Sequence, residues 1–384
     1  MKLAFQLAYR NLIRAGLRTW LNVGVLSFTF IVIVFYKGFL EGWNEQAVND
    51  AIDWEYGQGQ VLNKNYDRYD PFTIVDAHDR IPESLTGEIP IFIRQGSIYP
   101  DGRMLAILIK GIDATQQALK LPTHLLLESE ADYPILIGNR MAESANLKSG
   151  DVVLLRWRDK NGTYDALHVT VAGIFNSKVP SIDNGQIWMS IQKVWEMTGS
   201  TNHSTMFIVK EENFQKQTEG WRFESRDELL KELREIIEME KISGMVLYSI
   251  LLSIALLAIF DTQVLSIFRR QREIGTFIAL GMTRVQVVGL FTIEGSMYSL
   301  LATILGGILG APLFMYVANT GISVADGMDD MGVGFAGNIY PVFGFNLVMG
   351  TIILVVISST IVSFLPSRKI TKMDPVHALK GKLQ

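Results

Sequence analysis

The sequence predicts an α-helical membrane protein with four transmembrane helices and a large α+β extracytoplasmic (periplasmic) domain on a helical stalk. Three observations predict it. Four apolar runs, at 19–40, 242–268, 286–317 and 341–365, each reach the roughly 20 residues that a bilayer core requires. A polar stretch long enough for a domain, 41–241, separates the first run from the second. Charge also divides with the material. Residues 41–241 hold 21 Lys+Arg against 32 Asp+Glu, a net of −11, whereas the remainder holds 14 against 7, a net of +7. Basic residues gather at 10–18, 269–284 and 368–382, and four crossings put all three on one side. The positive-inside rule makes that side cytoplasmic, so both termini lie there, while 41–241 and a loop at 318–340 face the other way.

Residues 1–18 read as an amphipathic elbow helix lying in the interface. Leu3, Leu7, Leu12 and Ile13 share an apolar face, and Arg10, Arg14 and Arg18 lie four apart on the other side. A signal peptide fits less well, because the apolar run that follows is too long and has no small-residue cleavage site. Trp20 and Trp43 bracket the first span as interface anchors, and Lys37 near its far end can snorkel outward.

Within 41–241, a helix over 41–53 continues out of the membrane until Gly57-Gln58-Gly59 breaks it. Strands are expected at 60–63, 89–93, 104–110, 135–137, 152–158, 167–175, 186–189 and 206–209, with short helices at 138–147 and 191–197. Asp159-Lys160-Asn161-Gly162 marks a hairpin between two of the strands. An unbroken charged helix over 225–241 feeds the second span. The scattered carboxylates of this domain form no catalytic constellation and read as a solvated acidic surface.

Two carboxylates fall within apolar runs: Asp261 in the second span and Glu294 in the third. Such groups are costly in lipid and should face protein, headgroups or water. Gly306 and Gly310 form a GxxxG pair suited to close helix packing, and Pro312 should kink or end the third span. Pro366 should stop the fourth, leaving a basic tail over 366–384.

The connector 269–285 between the second and third spans carries the sharpest functional signal. Arg269, Arg270 and Arg272 open it. Ile274, Phe277, Ile278 and Leu280 are apolar at helical spacing, and Gly281 then breaks the pattern before Met282, Thr283 and Arg284. A short amphipathic helix at the mouth of a helix hairpin is either a plain surface anchor or a handle for a soluble partner.

Several classes are excluded or disfavoured. There is no Cys, so no disulfide or thiolate metal site forms. The 5 His include no pair at ligand spacing, so no metal site is expected. No GxxxxGK[ST] phosphate loop occurs, so the chain is not itself a P-loop ATPase. Basic residues cluster at membrane edges rather than along a soluble face, which disfavours nucleic acid.

The layout resembles that of the MacB/FtsX-like ABC transporter permeases. Arg272-Glu273-Ile274-Gly275, then Ala279-Leu280-Gly281-Met282 and Glu294, are similar to that family's cytoplasmic hairpin. Leu365-Pro366-Ser367-Arg368-Lys369 and Asp374-Pro375-Val376-His377-Ala378-Leu379-Lys380 resemble its C-terminal signature. Val171-Ala172-Gly173-Ile174-Phe175 and Gln186-Ile187-Trp188-Met189 look like its periplasmic core strands. The resemblance implies a non-enzymatic permease subunit that binds no cofactor itself, with ATP and Mg on a separate ABC ATPase. It implies a dimer with a second permease copy or paralogue. Arg272, Glu273, Ile274, Gly275, Leu280, Gly281 and Met282 would then dock the ATPase. The single outer domain without a fused ATPase looks most like the LolC/LolE lipoprotein-releasing permeases, whose further partners are a lipoprotein, membrane lipid and a periplasmic carrier or adaptor. MacB-like efflux or peptide export, and FtsX-like regulation of periplasmic partners, are the alternatives.

Overall fold

The computed structural model describes residues 17–177, 179–211, 214, 218–323 and 338–372. Residues 1–16 of the expected elbow helix, 324–337 of the expected loop and 373–384 of the expected tail lie outside them. The described residues form two units, one of residues 17–44, 237–323 and 338–372, the other within 45–236.

The first unit is built on four helices long and apolar enough to cross a membrane. They are Leu17–Ala51, Lys231–Arg269, Arg284–Thr320 and Phe345–Ser367, of 35, 39, 37 and 23 residues. At ~1.5 Å per residue the first three far exceed the ~30 Å of a hydrocarbon core, so each must project beyond it. Their shared core takes Leu26, Phe30 and Ile33 from the first helix, Ala255 and Ile259 from the second, Tyr298 and Ala302 from the third, and Val355 from the fourth.

Small residues set the closest approaches, as expected where dispersion rather than water exclusion drives helix association. A Cβ on Gly295 would meet Ser363 and Gln263, and one on Gly306 would meet Phe30 and Ser27. Gly38 and Gly42 of the first helix form a second GxxxG pair, absent from the sequence reading. They receive the chain just before the fourth helix: Gly38 faces the Phe343 ring, and Gly42 faces the backbone of Tyr340 and Pro341. The Val342 N–H donates to the Gly38 carbonyl at 2.9 Å. Asn22 donates to the Thr262 hydroxyl, linking the first and second helices.

Three sequence expectations need correction. The third helix runs unbroken through Pro312 to Thr320. Neighbouring helices tolerate such a proline because they reshape the environment of the freed carbonyl. The fourth helix passes Pro366 and ends at Ser367, where a 3₁₀ turn, Arg368–Lys372, takes over. The helix expected over 225–241 is two: a short one, Arg226–Leu229, and the long one from Lys231, meeting at Leu230. Ser225 accepts from the Glu228 N–H while Glu228 accepts from the Ser225 N–H, a capping box that starts a helix there.

The second unit is a mixed β structure. The first long helix gives way to a π turn, Ile52–Tyr56, that ends at Gly57, whose φ of 57° suits glycine. The strands are β1 (Gly59–Asn63), β2 (Asp79–Arg80), β3 (Ile89–Ile98), β4 (Leu105–Ile112), β5 (Pro134–Gly138), β6 (Val152–Arg158) and β7 (Tyr164–Phe175), followed by β8 (Gln186–Ser190), β9 (His203–Ser204), β10 (Met206–Ile208) and β11 (Trp221–Ser225). The main sheet has the order β11-β1-β10-β3-β4-β8-β5-β7-β6, and β6 pairs back onto β3. Six strands from β3 to β6 thus close into a ring, with β10, β1 and β11 as a wing on β3. Ring closure removes edges that would otherwise template aggregation. Helices Asn139–Ala145 and Ile191–Thr198 contribute Met141, Ala142, Val194 and Met197 to the core on one sheet face. β11 escaped the sequence reading, because Trp221-Arg222-Phe223-Glu224-Ser225 is short and half polar.

The structure also joins two histidines 125 residues apart, His78 and His203. Arg94, 8% exposed, donates to the carbonyls of Ile74 and Val75 and to His78 Nε2 at 2.5 Å. Arginine only donates, so His78 Nε2 accepts and its Nδ1–H donates to His203 Nδ1 at 2.8 Å. Protonating His78 would set an N–H against the Arg94 guanidinium. Burial, then the charge of Arg94, brings the His78 pKa down from 6.5 to about 4. The folded value lies below the unfolded one, so the contribution is fully present above about pH 6.5 and is lost as the pH falls toward 4. Wild-type protein should lose thermal stability across that window in a melting series. His78→Gln should flatten the loss, and an unchanged slope in the variant would refute the assignment.

Candidate functional site

The connector is a nine-residue helix, Gln271–Ala279, followed by a turn at Gly281. Gly281 has a φ of 99°, the left-handed region that glycine adopts freely. Thr283 then caps the third long helix, accepting from the Gln286 N–H while Gln286 accepts from the Thr283 N–H. Helical periodicity sorts the residues that sequence reading grouped together. Ile274 and Gly275 are buried, and Ile274 packs with Ile267, Val287, Phe291 and Ile370. Arg272, Glu273, Leu280 and Gly281 are exposed, and Met282 is half-buried. Leu280 is 78% exposed and Val285 75%, so the turn presents two unpartnered apolar side chains.

What fixes the connector is Arg270, to which sequence reading gave no role beyond basic charge. Its Nη1 donates to both carboxylate oxygens of Glu294, at 2.9 and 2.8 Å, and its Nε donates to Glu273 at 2.7 Å. The guanidinium also lies 4.8 Å over the Phe291 ring. Burial alone would lower the Arg270 pKa, but Glu294 and Glu273 together raise it. Glu294 is 5% exposed, so the carboxylate inside the third apolar run is one half of a buried ion pair. Charge logic could have narrowed it: a carboxylate in an apolar run needs a cation, and the adjoining connector carries four arginines, Arg269, Arg270, Arg272 and Arg284. Arg284 adds a further tie, donating to the Thr371 carbonyl at 2.9 Å. The connector is therefore held on both sides, and its exposed tip is presented by a rigid base.

The remaining site residues lie elsewhere. Asp261 is exposed on the second helix and makes no ion pair among the described residues. Gly306 and Gly310 both face the first helix, Gly306 toward Phe30 and Ser27 and Gly310 toward Ile31. No group of three or more potential metal ligands occurs among the described residues.

Comparison with known proteins bears on the same segment. A family profile described as FtsX-like permease C-terminal matches residues 245–375, which include the connector and its clamp. An uncharacterized ABC transporter permease of Methanocaldococcus jannaschii is 22% identical over 275 residues, covering 67% of this chain and 64% of that protein. The match thus spans a little under two thirds of the relative's length. With the four apolar helices, the β-rich unit and the hairpin motif, these similarities support a likeness of the chain to the MacB/FtsX-like ABC transporter permeases.

Proposed function

We propose that this chain is the membrane subunit of an ABC machine in which a separate ATPase docks on the connector and the resulting motion reaches the β-rich unit. That unit then lies on the periplasmic side of the inner membrane, and the connector and both termini on the cytoplasmic side. The observation that carries the reading is the clamped connector: Arg270 ties Glu273 to Glu294 while Leu280 and Val285 stand exposed. Exposed apolar residues on a rigid base suit docking to a soluble partner. The second long helix leads from the connector end, at Arg269, to Lys231, a route for motion along its axis. The single β-rich unit between the first and second long helices supports lipoprotein release from the membrane as the work performed, by a dimer of this chain with itself or a paralogue.

Docking is tested at Leu280. Leu280→Asp should abolish copurification of the ATPase from native membranes while the permease melts as wild type, since the side chain contributes little to its own fold. Undiminished ATPase recovery would defeat the docking role. Mass spectrometry of the wild-type pull-down tests the work. Copurified lipoproteins support release, whereas a periplasmic adaptor or wall hydrolase without lipoprotein rejects it.

A further inference from the structure

The β-rich unit contains a two-chambered cavity that the proposed motion does not use. The outer chamber holds about 610 Å³, within the usual range for small-ligand sites. The inner one holds about 50 Å³ and shares Glu55, Tyr66 and Arg68 with it. Strand register explains the floor. On β4, Leu108, Lys110 and Ile112 point to one sheet face, and Lys110 pairs across with Ile93 on β3 and Trp188 on β8. Ile91, Ile93, Ile112, Trp188 and Met206 are core residues of that face. Lys110 therefore occupies a position that its neighbours fill with hydrophobic side chains.

Glu55, which lines the same inner chamber, attracts the Lys110 charge without forming an ion pair with it. The ammonium lies 4.9 Å over the Trp188 ring and makes no ion pair or hydrogen bond with the described residues. Burial lowers its pKa from the ordinary lysine value. Trp188 is 2% exposed, and its indole N–H has no acceptor among the described residues. Tyr66, shared by both chambers, and Tyr56, in the outer one, are half-buried and add phenolic hydroxyls to the lining. Burial, then the neighbouring Glu55, pushes the Tyr56 phenol up to about 12, and burial raises that of Tyr66, so both remain donors. A buried N–H left without an acceptor is costly, and so is a desolvated ammonium without an ion-pair partner. Two donors without a hydrogen-bonding acceptor at one cavity, the Lys110 ammonium and the Trp188 N–H, call for an acceptor that arrives from outside.

The outer chamber has the opposite character. Glu228 and Glu232 line it and are exposed. Over both chambers the walls carry five carboxylates against three cations. Arg68 is already committed to Glu224 at 2.9 Å and to Gln60 at 3.2 Å. A net negative wall disfavours a phosphate dianion or polyanion. It suits a ligand with one carboxylate for the inner donors and one ammonium for the outer acids.

We propose that this cavity binds the free end of a short peptide or an amino acid, its carboxylate received by Lys110 and Trp188 and its ammonium by the acidic outer chamber. Binding here makes the β-rich unit a sensor or selector of small zwitterions, separate from the docking of an ATPase.

The test uses full-length protein in lipid nanodiscs and a library of random tetrapeptides with free C-termini, with the same library as C-terminal amides for comparison. Affinity selection read by mass spectrometry should retain acids at least tenfold over amides. Lys110→Met should erase that preference and raise the melting temperature of the ligand-free protein, because it removes a desolvated charge without an ion-pair partner from a core face. Trp188→Phe, which keeps the ring and removes the N–H, should weaken retention independently of Lys110. Retention of neither library, equal retention of acids and amides, or undiminished preference in both variants would overturn the proposal.

Discussion

Arg270→Met is expected to destabilise the membrane unit by about 3–5 kcal/mol, the usual cost of leaving one half of a buried ion pair without its partner. The carboxylate left behind, Glu294, is 5% exposed and takes both of its short hydrogen bonds from this arginine. Water cannot easily replace them. Arg270→Lys should recover only part of the loss, since an ammonium cannot present a planar fork to Glu294 while reaching Glu273. The double variant Arg270→Met with Glu294→Gln should lie much closer to wild type, because no full charge is then buried. Thermal unfolding of detergent-solubilised protein reads all three. A double variant as unstable as the single one would mean that the arginine acts through packing against Phe291 rather than through charge.

Gly42→Leu should be the other severe substitution, costing about 3 kcal/mol or more by overpacking. A Cβ there would run into the Tyr340 carbonyl and the Pro341 Cα, which are backbone atoms with no rotamer to give way. The segment before the fourth helix would lift off, taking with it the hydrogen bond from Val342 to Gly38. Gly24 lies on the same helix, with nothing within 4 Å of the position a Cβ would take, so Gly24→Ala serves as the control and should be neutral. Matching melting temperatures for the Gly42 and Gly24 variants would show that the close approach is not needed for stability.

The four long helices were legible because each is a local property: twenty apolar residues in a row admit few other readings. Most strands of the β-rich unit were legible for a similar reason, through runs of Ile, Val and Leu bounded by turns. The ring was not. Its closure depends on Gly96–Ile98 pairing with Leu155–Trp157, strands far apart in sequence with no local mark of the contact. The same holds for the pairs His78–His203 and Arg270–Glu294, which become partners only after folding. The connector shows the boundary most clearly. Its periodicity announced an amphipathic helix, but that Ile274 and Gly275 face inward while Leu280 stands exposed depends on where the neighbouring helices lie.

The docking of Tyr340–Phe343 on Gly38 and Gly42 also has a bearing on biogenesis. The glycine face is synthesised about 300 residues before the segment that covers it. At roughly 5–20 residues per second, the first helix waits on the order of 15–60 s in the bilayer before its last neighbour emerges. Until then the face is open to lipid or to another helix. Assembly of the membrane unit is thus completed from its C-terminal end, and a chain interrupted before residue 340 leaves the first helix inserted but without one of its packing partners.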